Sequence, residues 1–190
     1  MVTFLIAAVI AGAVAVLRGG SLKALADTRF EMVWLLFAGL ALQLGAQIWA
    51  PSWLDGAPGT AVIVVSNLAV VVFLIANRRL PGVLLIALGL GLNVLVIALN
   101  GAMPVSLAAA RSAGVDPPPP GRADVEHERL NDDTKLPWLT DVLAIPRAQQ
   151  VFSVGDVVLG LGVADLVYRR ATSNKKGRRR ASTKSSAASG

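Results

Sequence analysis

From Leu80 to Leu99 the chain reads LPGVLLIALGLGLNVLVIAL, a stretch with no charged residue and with Asn93 as its one strongly polar side chain. A helix rises about 1.5 Å per residue, so a run of this length covers the roughly 30 Å hydrocarbon core of a bilayer. Four more stretches have the same character: Val2–Leu17, Met32–Ala50, Gly59–Ala76 and Val151–Tyr168. With 54% hydrophobic residues in 190, the chain is too apolar for a soluble domain of this size. The expected fold is all-α, an integral membrane bundle of five transmembrane helices spanning about 2–17, 32–50, 59–76, 80–99 and 151–168. The absence of cysteine excludes disulfides and thiolate chemistry.

Charge then sets orientation. Short cytoplasmic loops are enriched in Lys and Arg. Arg18, Lys23 and Arg29 follow the first stretch, the Pro51–Pro58 loop has no basic residue, and Arg78 and Arg79 follow the third. From Arg169 onward the tail carries eight basic residues and no acid, leaving 10 basic against 12 acidic in the body. The alternation predicts an N-terminus outside, a cytoplasmic C-terminus and an outer loop over 100–150. That loop contains five basic residues, but long loops translocate largely regardless of charge. The first stretch lacks a basic n-region and its charges follow the apolar run, which suits a retained helix rather than a cleaved signal peptide. Trp34, Trp49 and Trp53 fall near span ends, where amphipathic rings favour the interface. The expected localisation is a plasma membrane.

Within the outer loop, Ser106 is placed to cap a short helix over Leu107–Ala113 that Gly114 ends. Pro117–Pro120 reads as a polyproline spacer. Leu136–Pro146 is too short to span; its apolar Trp138, Leu139, Val142, Leu143 and Ile145 suggest a short interfacial helix on the outer leaflet or over the bundle. The segment 171–190 is Ser-, Lys- and Arg-rich with little to bury, so it reads as a disordered basic cytoplasmic tail lying along anionic inner-leaflet lipids. Small residues four apart, at Ala11 and Ala15, Ala41 and Gly45, Ala87 and Gly91, and Gly160 and Ala164, suit close helix packing or a homodimer face.

Polar groups at membrane depth are the functional suspects. Asp165 precedes Arg169 by one helical turn and reads as an i,i+4 ion pair. Ser153 and Asp156 have capping-box spacing, with Phe152 and Val157 where a hydrophobic staple would sit. Asp156 is also positioned to be an ion, proton or headgroup site just below the outer surface. Gln43, Gln47, Asn67 and Asn93 are intramembrane amides, suited to interhelical hydrogen bonds or to lining a hydrated path toward Asp156. If the outer loop folds over the mouth of the bundle, Asn100, Asp141, Ser153 and Asp156 form one polar cluster. His127, the lone histidine, sits in a polar stretch between two glutamates. One histidine with scattered carboxylates gives no zinc-ligand pattern, and Asp132, Asp133 and Asp141 give no regular cation pattern. No cofactor or metal is expected, and nucleic acid is not an expected partner, because the basic residues belong to a tail rather than to a folded face.

The segments Leu17-Arg18-Gly19-Gly20, Asn77-Arg78-Arg79-Leu80-Pro81-Gly82, Asn100-Gly101-Ala102-Met103-Pro104-Val105, Thr134-Lys135-Leu136-Pro137-Trp138-Leu139-Thr140-Asp141 and Phe152-Ser153-Val154-Gly155-Asp156 together give the chain a likeness. It resembles domain-of-unknown-function family 5317, small multispanning membrane proteins of bacteria, mainly actinobacteria. The resemblance covers roughly residues 1–170. Where members often have Gly between Leu139 and Asp141, this chain has Thr140. The family has no assigned activity, so the resemblance implies a topology and suspect positions but no reaction. The leading expectation is a non-enzymatic accessory or interaction subunit with a membrane protein partner or a second copy of itself. A small transporter or ion pathway through Asp156 and the amides is the alternative, and an envelope or lipid enzyme at the outer leaflet the second alternative.

Overall fold

The computed structural model describes residues 2–49, 57–117 and 127–188; side chains at 2–8, 22, 24, 47, 49 and 174–188 lie outside the description. The described chain is mostly helical. Five long helices dominate: α1 (Val2–Leu17), α3 (Val33–Trp49), α4 (Ala57–Ala76), α5 (Val83–Asn100) and α7 (Val154–Ala188), with short α2 (Leu22–Ala26) after α1. α1, α3, α4 and α5 form over apolar runs without a charged residue, whereas α7 is apolar only as far as Tyr168 and continues into the basic segment. Gly82 and Gly101, both at positive φ, bracket α5.

The last helix is the hub. It packs between α1 and α5; α5 packs on α4, α4 on α3, and α2 crosses α7. Glycines let α5 and α7 approach to backbone contact. A Cβ on Gly82 would lie 2.7 Å from the Leu166 nitrogen, and one on Gly89 would lie 2.6 Å from the Leu159 nitrogen. From the other side, a Cβ on Gly162 would meet Gly82 O at 2.7 Å, and one on Gly155 would meet Gly89 O at 2.7 Å. The helices therefore run antiparallel in a register set by two glycine pairs seven residues apart. The four-residue pairs expected from sequence divide: Ala11 and Ala15 are buried, whereas Gly45 and Gly91 have open space around the Cβ position.

At one end, α1 and the loops tie to the far part of α7. Ser21 N donates to Ala171 O at 2.7 Å, Arg18 Nη1 to the Tyr168 hydroxyl at 3.1 Å, and Arg170 Nε to Thr28 Oγ1 at 3.0 Å. Asn77, after α4, clasps Glu31: Glu31 N donates to Asn77 Oδ1 and Asn77 Nδ2 to Glu31 O, both at 2.8 Å. Phe73, Leu74 and Val83 form the apolar core beside it, covered in part by Leu35, Leu36 and Leu166. Asp165 and Arg169 pair at 2.6 Å in the i,i+4 arrangement that their spacing suggests.

The opposite end carries a folded cap. β1 (Met103–Val105) pairs in parallel with β2 (His127–Arg129), and Asp141 bridges to Val105. β3 (Leu143–Ile145) pairs antiparallel with β4 (Gln150–Phe152). Between them α6 (Leu107–Ala113) starts at Ser106, whose Oγ accepts from Ala109 N at 3.3 Å, and stops at Gly114. These strands correct the all-α expectation to a mostly helical one. They also correct the short helix expected over Leu136–Pro146. Pro137–Leu139 makes a 3-10 turn, residues 143–145 are strand, and Pro146 opens a second 3-10 turn that ends at Ala148. The reason is local: Pro137 lacks an N–H and Leu136 is at φ 53°, while the Asp141 backbone is claimed by strand neighbours at both its N–H and its carbonyl. The fifth apolar stretch likewise begins as strand, and its helix starts only at Val154. Helix continues as far as Ala188, into the segment expected to be a disordered tail, whose side chains beyond Ser173 lie outside the description. The polyproline run from Pro118, and Trp53, also lie outside the described residues.

Candidate functional site

The cap sits on the bundle through a small apolar core of Val96, Met103 and Leu139, flanked by Leu92, Ile97, Leu136 and Val154. Next to that core a polar knot joins α5 to the start of α7. The capping box is present: Asp156 N donates to Ser153 Oγ at 3.0 Å, and Ser153 N donates to Asp156 Oδ2 at 3.0 Å. Both carry a further bond to one partner across the helix interface. Asn93 Nδ2 donates to Asp156 Oδ1 at 2.9 Å, and Ser153 Oγ donates to Asn93 Oδ1 at 2.8 Å. A carboxylate here also faces the positive end of the helix dipole. Gly155 makes the closeness feasible, since a Cβ there would lie 2.8 Å from Asn93 Cγ.

Asp141 is the second carboxyl in this region. Its main chain is held firmly: Asp141 N donates to Pro104 O, and Ser106 N donates to Asp141 O, each at 3.0 Å. Its side chain is different. The residue is 8% exposed, and the carboxyl accepts no hydrogen bond among the described residues. Burial first, and then the negative charge of Asp156, push Asp141 up to about 7. Neighbouring Thr140 is fully buried and donates to Pro137 O at 2.7 Å.

Of the four residues expected to cluster, Ser153 and Asp156 share one hydrogen-bonded knot, and Asp141 lies within electrostatic range of Asp156. Asn100 does not join them directly. Its side chain clasps the Lys135 backbone, accepting from Lys135 N at 2.7 Å and donating to Lys135 O at 3.1 Å. It therefore fastens the cap at a second point. Asn93 belongs with the knot and is its centre. Asn67 donates to Ile63 O at 2.8 Å within its own helix, Gln43 is half-buried, and the side chain of Gln47 lies outside the description. Asn77 was passed over as a site by sequence reasoning although it closes the far end of the bundle; the signal was an Asn directly after an apolar run. His127 lies in β2, paired with Met103 rather than in open loop. Among the described residues no group of three or more His, Cys, Asp or Glu could hold a metal.

Chemically, the knot can hold two helices in register, and the Asp141 carboxyl beside it, pushed up to about 7, is suited to exchange a proton near neutral pH. Two helices, Ala57–Ala76 and Val83–Asn100, are long and apolar enough to cross a membrane. No curated protein and no solved structure matches the chain. A model described as a family of unknown function (DUF5317) matches residues 27–168, most of the length, and the chain belongs to that family.

Proposed function

We propose that the chain is a multi-pass integral protein of a bacterial plasma membrane, crossing it five times with the cap outside and α7 leaving on the cytoplasmic side. Within it the protein serves as a non-enzymatic accessory or interaction subunit, with a membrane protein or a second copy as partner and anionic inner-leaflet lipid along the basic tail. The observation that carries this reading is the apolar outer surface of the helices. Phe37, Ile48, Leu84 and Leu161 are each more than half exposed, and the most apolar windows of α4 and α5 are only 28% and 22% buried. The core helix of a soluble domain would be covered, because exposed apolar surface of this extent is unfavourable in water. The internal polar groups support the accessory role: Ser66, Asn67, Asn77 and Asn93 are engaged in packing bonds rather than turned toward an open channel.

Resistance to alkaline carbonate extraction, with reporter fusions at the two ends reading opposite compartments, is the expected outcome. Release as a peripheral protein, or both ends on one side, would overturn the reading. Co-purification in mild detergent then identifies the partner. The alternative, an ion or proton pathway, is favoured by one feature, the buried Asp141 carboxyl beside Asp156. An Asp156→Asn protein that folds but loses phenotype and proton flux in vesicles would transfer support to it.

A further inference from the structure

The two helices that carry the cap end at different heights. α5 runs on to Asn100, whereas α7 starts at Val154, where Ser153 and Asp156 bond to Asn93. The last two turns of α5, about 10 Å of helix, therefore stand above the start of its neighbour. The lower edge of the cap fills this step. Leu139 packs with Val96, one turn below the end of α5, and Lys135 is held at the end itself by the Asn100 side chain. β4 comes down to the start of α7, since its last residue, Phe152, directly precedes Ser153, and Leu143 of β3 is paired with Phe152. The sequence changes character along this edge. Asp132, Asp133 and Lys135 are charged and exposed, and the chain then continues as Leu136, Pro137, Trp138 and Leu139. Leu139 and Phe152 are buried in the step, but other apolar side chains of the edge face outward: Trp138 is 64% exposed, Leu143 41% and Ile145 44%. Leu143 and Ile145 lie two apart on one strand and so share a face.

We propose that this edge of the cap, the Pro137–Leu139 turn with the outward face of β3, is sunk in the outer leaflet at the boundary between headgroups and acyl chains, so that phospholipid covers it. The proposal rests on the membrane residence argued above and adds a defined lipid contact to it. Height decides the occupant. α5 is apolar from Val83 to Leu99 apart from Asn93, so its last two turns lie at the outer margin of the hydrocarbon layer, and the chain packed beside them lies there too. Backbone at that depth needs its polar groups paired. β3 and β4 pair with each other, Asp141 is bonded at both its N–H and its carbonyl, and Leu139 N donates to Leu136 O. An indole suits the boundary, because its ring is apolar and its N–H polar. The turn that joins β3 to β4 carries Arg147 and Gln149, both exposed, and so keeps a polar end for water.

The chain has no cysteine, so a single introduced cysteine can be labelled with a nitroxide without background. The full chain is reconstituted in vesicles of phosphatidylcholine and phosphatidylglycerol. Collision of each label with oxygen, which concentrates in lipid, is then compared with collision with a water-soluble nickel chelate. Trp138→Cys and Leu143→Cys are read against Asp132→Cys, exposed on the charged side of the cap, and Leu88→Cys, 55% exposed within α5. At positions 138 and 143 the oxygen-to-nickel ratio should rise above that at 132 and stay below that at 88. A ratio at either position equal to that at 132 overturns the proposal. Protection of either label from both reagents also overturns it, because a second copy of the chain then covers the face. A further measurement leaves the cap unaltered: with Trp34, Trp49 and Trp53 replaced by Phe, Trp138 fluorescence should be quenched by lipid brominated high on the acyl chain. Emission indifferent to that lipid overturns the immersion. Carbonate extraction separates the two readings: a chain that resists extraction while its cap labels report water loses the immersed edge alone, whereas a released chain loses membrane residence.

Discussion

Asn93 and Asp156 stand 63 positions apart in sequence and are joined by a 2.9 Å hydrogen bond across two helices. Asp156 simultaneously accepts from the Ser153 backbone, so one carboxylate serves both the start of α7 and its attachment to α5. The amide is the only group in the knot that both donates and accepts across the interface.

Replacing Asn93 should therefore cost more than one bond. Asn93→Ala leaves Asp156 Oδ1 without its donor and the Ser153 hydroxyl proton without an acceptor, and an abandoned buried polar group costs about 1–3 kcal/mol. Asn93→Asp should be worse still, because it sets a second carboxyl against Asp156 and loses the amide donor. Thermal unfolding in detergent measures both, and an Asn93→Ala protein as stable as the parent would refute the shared role.

The glycine register gives a graded test. Gly155→Ala drives a methyl into Asn93 and the Gly89 carbonyl, and Gly162→Ala drives one toward Gly82 O. Each should destabilise by about 2 kcal/mol or more, in line with overpacking at a close backbone contact. Gly91→Ala, on the same helix as Gly89 but facing open space, should fall within about 0.5 kcal/mol of the parent. Because Gly→Ala gains helix propensity at every helical site, similar losses at all three positions would show that the α5–α7 contact does not set the cost.

Asp141 makes the cap sensitive to pH. Folding raises its proton affinity, so the folded state binds more protons than the unfolded one above the ordinary carboxylate value. Its contribution is most favourable in acid, declines as pH rises through about 7, and is level beyond that. Asp141→Asn removes this dependence. Subtracting its unfolding profile from that of the parent should leave a curve in which the parent loses ground steadily between about pH 4 and 7. A flat difference would show that Asp141 ionises as freely folded as unfolded.

Asn77 should anchor the opposite end. Asn77→Asp keeps the oxygen that accepts from Glu31 N but loses the donor to Glu31 O and Phe73 O. The expected cost is about 1–3 kcal/mol, with faster proteolysis or hydrogen exchange at residues 27–32. Unchanged protection of that loop would rule out the clasp.

What the sequence made legible follows from periodic and local physics. Apolar length placed α4 and α5 to within a few residues, and Ser106 with Gly114 bounded α6, because a cap and a stop are written within a few positions. The Ser153–Asp156 box was legible for the same reason. Asn93 as their shared partner was not, since nothing local in α5 names a residue on α7. The cap strands were missed because each is three residues long and its pairing is non-local, with Asp141 joined to Val105 across 36 positions. Leu136–Pro146 carried an apolar composition that fits a surface helix equally well. Backbone demand at Asp141, visible only in three dimensions, decided it.

The central position of α7 governs how the molecule is made. Ala11 and Ala15 of α1 are buried in a bundle where α1 packs chiefly on α7, a helix that begins 137 residues after α1 ends. The first helix is consequently left waiting, without its mate, while more than a hundred further residues are synthesised. A chain interrupted before Val154 would therefore leave the buried face of α1 uncovered and α5 without its glycine-paired neighbour, a fragment lacking its keystone rather than a smaller version of the fold.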